Sequence, residues 1–290
     1  KPFNYRIMAG IGDNTSKVTK YDNPNRTLSD PYEGQQLGEI WGYVVDGYFK
    51  TDEEARNYKV DQSFVNQMIN ASALDNGLHA GDLKFVDLDG NNKIEQTTSA
   101  NDRKDMKVIG NSLPRYNYNF GISADWYGID FSVLFQGIGK QNWYPGAETS
   151  MFWGPYSRPY ASFIPSDFMS QVWSEENTNA YFPRPRGYVA LGSNRELAVV
   201  NTKYLQNLAY CRLKNLSIGY TLPDKWLSKI GFEKIRVYFS GENLLTFTKL
   251  HSDYIDPEQA SASNSWKTSK SDANIYPWAK TYSFGVDITF

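Results

Sequence analysis

Residues 280–290 place Tyr282, Phe284, Val286, Ile288 and Phe290 on one face of an extended strand, and Thr281, Ser283, Gly285, Asp287 and Thr289 on the other. Strand side chains alternate with period two, so one face is wholly apolar and the other wholly small or polar. Two settings produce such a strand: one face of a soluble sandwich, or a boundary between lipid and water. The aromatic terminus, Phe290, favours lipid, because transmembrane barrels end on strands of this kind, which close against the first strand and leave no edge.

Composition has to be reconciled with a membrane setting. The chain has 290 residues, 40% of them hydrophobic, and a mean hydropathy of −0.57. It contains no apolar run of the roughly 18 residues that a spanning helix needs. A barrel does not require one, since alternation halves the apolar content of each strand and outer loops dilute it further. The aromatic share, 16% with 21 Tyr, 16 Phe and 8 Trp, suits interfacial girdles or a sugar-binding surface.

Several function classes drop out. A formal charge of −2 with no basic run argues against nucleic acid. Cys211 is the single cysteine, which excludes an internal disulfide or a cysteine metal cluster. His79 and His251 have neither HxxxH nor HExxH spacing, so a zinc site or a Ser/His hydrolase has little support. The opening Lys1-Pro2-Phe3-Asn4-Tyr5 reads as the inside of a strand, so the chain is expected to be the C-terminal portion of a longer polypeptide.

The clearest hairpin joins 116–126 to 129–137. Tyr116, Tyr118, Phe120, Ile122, Ala124 and Trp126 share one face of the first arm, and Ile129, Phe131, Val133 and Phe135 one face of the second. Only Tyr127-Gly128 remains for a tight turn. Short turns in such barrels are periplasmic, so residues 138–207 form a long extracellular excursion. It contains a Trp/Pro/Gly-rich stretch at 142–159, a helical candidate at 166–173 and the segment Pro183-Arg184-Pro185-Arg186. Residues 208–222 then return inward, with Leu216, Ile218, Tyr220 and Leu222 on the lipid-type face. Strict alternation gives Arg212 and Lys214 the same parity, but at the outer end, above the hydrocarbon. Strands at 235–247 and 3–11 and an outer loop at 251–276 complete the pattern. Six spanning strands are expected, or eight if 40–49 and 83–86 also cross; a complete eight-stranded pore is the competing geometry.

The motif Asp87-Leu88-Asp89-Gly90-Asn91-Asn92-Lys93-Ile94 has oxygen side chains at positions 1, 3 and 5, a carbonyl at Lys93 and an apolar anchor at Ile94, as a wrapped Ca²⁺ loop needs. Asn92 replaces the usual glycine at position 6, although Asn tolerates positive φ. Thr98 occupies position 12, so Asp102 supplies the closing carboxylate only if 95–101 bulges out. The metal-free alternative is a polar turn in which Asp and Asn serve turn chemistry.

An ordered series of motifs resembles the SusC/RagA-like TonB-dependent transporters of Bacteroidetes outer membranes. It runs from Gly42-Tyr43-Val44-Val45-Asp46-Gly47-Tyr48-Phe49 and Thr51-Asp52-Glu53-Glu54-Ala55 to Gly81-Asp82-Leu83-Lys84-Phe85-Val86-Asp87. Asp102-Arg103, Val108-Ile109-Gly110-Asn111, Phe135-Gln136-Gly137 and Trp173 with Glu175 and Asn177 follow. Arg212-Leu213-Lys214-Asn215-Leu216, Gly219-Tyr220, Gly241-Glu242-Asn243-Leu244 and the terminal strand close it. The resemblance implies an all-β fold: the C-terminal part of a large plugged antiparallel transmembrane β-barrel with long extracellular loops. Residues 1–290 would form one barrel portion, with an extracellular insertion at 50–110 bearing the acidic loop and a long loop at 138–207. It also implies a SusD-like surface lipoprotein as lid, energy from the TonB-ExbB-ExbD complex through a plug outside this chain, and outer-membrane lipid around the wall. The family's acidic loop reads Asp-x-Asn-Gly-Asp-Gly with a later Asp before Arg, which matches Asp102-Arg103 and supports the ligand set Asp87, Asp89, Asn91, Lys93 and Asp102.

The leading function is therefore import of an oligosaccharide or a peptide, with no covalent chemistry on this chain. Ligand contacts are expected on outer loops, the strands being scaffold. Trp143, Tyr144, Trp153, Tyr156 and Tyr160 are candidates to stack on sugar rings or peptide side chains, and Arg158, Arg184 and Arg186 to hold a carboxylate or sulfate. For each, the alternative is packing within the loop, against the lid, or as a solvated charge. A soluble calcium-stabilised glycan-binding β-protein would instead pair its alternating faces sheet to sheet. A glycoside hydrolase lacks a recognisable carboxylate pair.

Overall fold

The computed structural model describes residues 3–66, 77–158, 163–192, 195–228, 231–262, 270–271 and 276–290. Its strands, in chain order, are β1 (Asn4–Gly12), β2 (Glu39–Tyr43), β3 (Val45–Tyr48), β4 (Leu83–Phe85), β5 (Met106–Asn111), β6 (Arg115–Trp126) and β7 (Ile129–Lys140). They continue as β8 (Asn142–Pro145), β9 (Gln206–Asn207), β10 (Tyr210–Thr221), β11 (Lys234–Thr248), β12 (Lys270–Ser271) and β13 (Thr281–Thr289). No described helix is long and apolar enough to cross a membrane.

Six of these strands make one antiparallel sheet in the order β1-β6-β7-β10-β11-β13, an open sheet whose edges are β1 and β13. The Tyr127-Gly128 turn sets the β6–β7 hairpin. Both residues have positive φ, 51° and 90°, as a two-residue I′ connection requires. At the other end of the same hairpin, Gly137 admits no side chain. A Cβ there would lie 2.0 Å from the Tyr210 carbonyl oxygen and 2.5 Å from the Tyr118 hydroxyl, which itself donates to that carbonyl.

Cross-strand register turns the alternation into rows. Tyr5, Ala124, Phe131, Ile218, Phe239 and Phe284 are successive partners across all six strands. One residue along, on the opposite face, the row is Arg6, Ser123, Ser132, Ser217, Ser240 and Ser283. A one-residue slip anywhere would mix the two sets, so the register is strongly specified. The apolar face is uncovered: Ile7 is 66% exposed and Phe284 84%.

One expectation from strict alternation fails here, for an identifiable reason. Leu213 pairs with Phe135, but Asn215 pairs with Leu134, so Lys214 is an extra residue in β10. Such a bulge reverses the parity of everything beyond it. Arg212 therefore joins the polar row with Gln136 and Thr246, not the apolar face of Leu216 and Ile218. It is 2% exposed, and Nε donates to Thr246 Oγ1 at 2.9 Å. Its other nitrogens reach Asp256 at 2.6 Å and Glu258 at 2.8 Å, pinning the start of helix Pro257–Ala262 to the sheet. Lys214 adds a 3.1 Å pair to Glu258.

The segments left open as further crossing strands lie elsewhere. β2 pairs with β5 and β3 with β4 in separate two-stranded sheets, while β8 joins β9 and β12 in a three-stranded one. These ribbons belong to a second body with its own core. Tyr48, Leu83, Phe85, Ile94, Trp143, Trp153, Phe182, Tyr204, Leu250 and Ile255 form one hydrophobic cluster, which also takes in Ile138 and Tyr210 at the ends of β7 and β10. The two long excursions and the loop after β11 thus build a single cap over the sheet end opposite the Tyr127-Gly128 turn.

Candidate functional site

The cap core explains where the aromatic candidates went. Trp143, Tyr144 and Trp153 have no exposed surface and Tyr156 has 1%. Trp153 stands edge-on to Phe152 at 4.8 Å and to Tyr204 at 5.1 Å, while its Nε1 donates to the Gly146 carbonyl at 2.9 Å. The Tyr144 hydroxyl donates to the Leu197 carbonyl at 2.9 Å and accepts from Asn201 Nδ2 at 2.9 Å. Tyr156 donates to the Pro183 carbonyl at 2.7 Å. Rings enclosed on every side hold the excursion together and offer no face to a solute. Tyr160 lies outside the described residues.

The arginine candidates also separate. Arg158 is exposed and pairs with Glu148 at 2.8 Å. Arg184 and Arg186 converge instead on Asp82, whose side chain is fully buried. Arg184 Nε donates to Asp82 Oδ1 at 2.6 Å, and Arg186 donates to the same oxygen. Arg186 Nε also lies 3.1 Å from Oε1 of Glu196, another fully buried carboxylate. The approach depends on Gly81, which has φ +80° and against which the Trp173 ring packs so closely that a Cβ would sit 2.6 Å from it. Sequence reading singled out the two arginines but not their carboxylates. Asp82 is visible only as part of Gly81-Asp82, and Glu196 lies in a stretch without a motif.

In the acidic loop, Asp87 Oδ1 accepts from the Gly90 amide and Oδ2 from that of Asn92, both at 2.7 Å. Asp89 Oδ1 accepts from the Asn91 amide at 3.1 Å, and Asn91 Oδ1 from that of Lys93 at 2.8 Å. Asn92 has φ 62°, the left-handed conformation its position calls for. The carboxylate brought to Asp87 and Asp89 is Asp105, not Asp102; ligand oxygens of the three lie within 4.8 Å of one another. Asp102 is 3.4 Å from Lys104 Nζ. Asp105 is completely buried and accepts from the amides of Leu88 at 2.8 Å and Glu95 at 2.7 Å. Burial pushes its carboxyl up, the Glu95 and Leu88 amides oppose this, and the charges of Asp89 and Asp87 reinforce it. Three converging carboxylates are donors of the kind a hard cation takes.

No family model matches the chain. Among curated proteins it is 29% identical over 264 residues to TonB-dependent receptor P3 of Formosa agariphila, covering 89% of this chain and 22% of that protein. It is 26% identical over 283 residues to TonB-dependent receptor P39 of the same organism, covering 89% and 25%. The chain thus spans about a quarter or less of the curated relatives it matches. Among solved structures, the RagAB peptide importer in its open-open state superposes with a TM-score of 0.63 at 19% identity, over 99% of this chain and 27% of that one. Its closed-closed state gives 0.61 at 18% identity, over 100% and 28%. The chain is thus similar in sequence to TonB-dependent receptors and shares its fold, along nearly its whole length, with the RagAB structures.

Proposed function

We propose that the six-stranded sheet is part of an outer-membrane barrel wall, and that the protein containing it imports oligosaccharides or peptides by a TonB-dependent route. The continuous apolar row face, uncovered on all six strands, is the observation that carries this reading. An exposed apolar surface of that extent would drive a soluble protein to aggregate, whereas in lipid it is the required surface. A soluble glycan-binding β-sandwich needs a second sheet against this face, and none covers it among the described residues. The serine row then lines the lumen, and the cap covers the extracellular mouth.

A surface lipoprotein of the SusD kind is the partner proposed for the cap, in keeping with the two-component name of the RagAB structures. Those structures bear the name of a peptide importer, which favours peptide among the two substrate classes. For the acidic loop we propose Ca²⁺ held by Asp87, Asp89, Asn91 and the Lys93 carbonyl, with Asp105 as the closing carboxylate. The ion would tie residues 87–93 to the start of β5.

Uptake by intact cells tests the central claim. Radiolabelled oligopeptide and oligosaccharide mixtures are supplied to cells with and without the receptor gene, and with TonB present or deleted. Receptor-dependent uptake of one class that vanishes without TonB is expected. Uptake unaffected by losing TonB would overturn the energised-import reading.

A further inference from the structure

Four charged side chains meet beside β4, two carboxylates and two guanidiniums, but only three of them are buried, and those three do not balance. Asp82 and Glu196 are fully enclosed and Arg186 is 4% exposed, whereas Arg184 is 29% exposed and reaches solvent. Two buried carboxylates therefore share one buried guanidinium. Arg186 bonds Asp82 directly, but its contact with Glu196 is poorly aligned: neither Arg186 Nε nor Glu196 Oε1 completes a hydrogen bond. What Glu196 does accept is the Leu83 amide, at 3.3 Å, on the first residue of β4. A buried carboxylate with one long hydrogen bond and a shared counter-charge is held poorly in its charged form.

We propose that Asp82, Arg186 and Glu196 form a proton-operated joint in the cap, in which protonation of Glu196 tightens β4 against Arg186 and Glu196 and its ionisation loosens them. With the proton on, the enclosed charges of Asp82 and Arg186 balance one to one, Arg184 being shared with solvent, and no surplus negative charge is enclosed. With it off, the second carboxylate is sealed in against the same guanidinium. Burial raises the Glu196 carboxyl to about 7, the Arg186 charge pulls it back, Asp82 pushes it further up, and the Leu83 amide and the Arg184 charge oppose the rise. The remaining neighbours do not compete for the proton. Tyr48, Tyr144, Tyr156 and Tyr204 face Glu196 with hydroxyls that burial raises, and Arg186 stays charged. Because the folded carboxyl lies above its ordinary 4.5, the stabilisation is fully present below that value and is lost as pH rises through about 7.

Hydrogen exchange on the full-length receptor in detergent, corrected for intrinsic rates, tests this without any ligand. Protection of the β4 amides, Leu83 above all, should fall at least about tenfold between pH 5.5 and pH 8, while β6 and β7 amides hold constant. Glu196→Gln, which keeps the acceptor but cannot ionise, should remove the pH dependence. Asp82→Asn should move the midpoint to lower pH. Protection of β4 that is flat with pH in the wild type overturns the joint, and needs no variant to fold; an undiminished fall in Glu196→Gln overturns the assignment to Glu196.

Discussion

Replacing Phe284 by arginine is the most direct test of which face meets lipid, because its neighbour supplies the control. Phe284 is fourth of nine residues in β13, 84% exposed, with its ring 5.2 Å from that of Phe239 on β11. In the proposed barrel wall it would lie near the bilayer midplane, where an arginine costs about 2–4 kcal/mol. At about 1.4 kcal/mol per decade, that is roughly a 30-fold to nearly 1,000-fold loss in the assembly equilibrium. Ser283, one residue earlier, partners Ser240 on the polar row, where an arginine meets water and should cost within about 0.5 kcal/mol of nothing. Refolding each full-length variant into lipid vesicles across a urea series gives both values, and surface protease accessibility in cells gives the qualitative counterpart. Equal penalties for Phe284→Arg and Ser283→Arg, or a larger one for Ser283→Arg, would refute the assignment of faces.

Other predictions follow from particular contacts. Arg212→Met leaves Asp256 and Glu258 short of their buried partner and should cost about 3–5 kcal/mol locally, read as faster proteolysis within 249–262 while β13 stays protected. Trp153→Ala opens a cavity in the cap core and should cost about 3–5 kcal/mol, lowering the melting temperature of the cap; an unchanged melting temperature would show that the cap does not depend on that ring. Gly137→Ala forces a methyl against the Tyr210 carbonyl, and a penalty of about 1–3 kcal/mol is expected, with β7–β10 amides exchanging faster. Calorimetric titration of Ca²⁺ should show one site that is lost in Asp105→Asn but kept in Asp102→Asn; the reverse pattern would return the closing role to Asp102.

Local alternation was enough to read β6, β7, β11 and β13 and the tight turn between β6 and β7, because period-two patterning and turn preference are properties of neighbours in sequence. The same information gave the acidic loop and the tolerance of Asn92 for positive φ, and it singled out Arg184 and Arg186 as ligand contacts without their internal partners. It could not give partners that lie far along the chain. Asp105 closes the acidic cluster because β5 is pinned by β2, and Asp82 and Glu196 meet Arg186 only once the excursions pack together. Burial likewise decided that Trp143, Tyr144, Trp153 and Tyr156 are core and not an open platform, a distinction residue type alone does not make. The bulge at Lys214 was invisible for the same reason, since an extra residue in a strand is defined against its partners, Phe135 and Leu134. The sequence by itself determined that this chain presents an apolar and a polar face in its long strands. Only the tertiary structure decided which charges were enclosed, because desolvation and counter-charge depend on what the fold brings within a few ångströms.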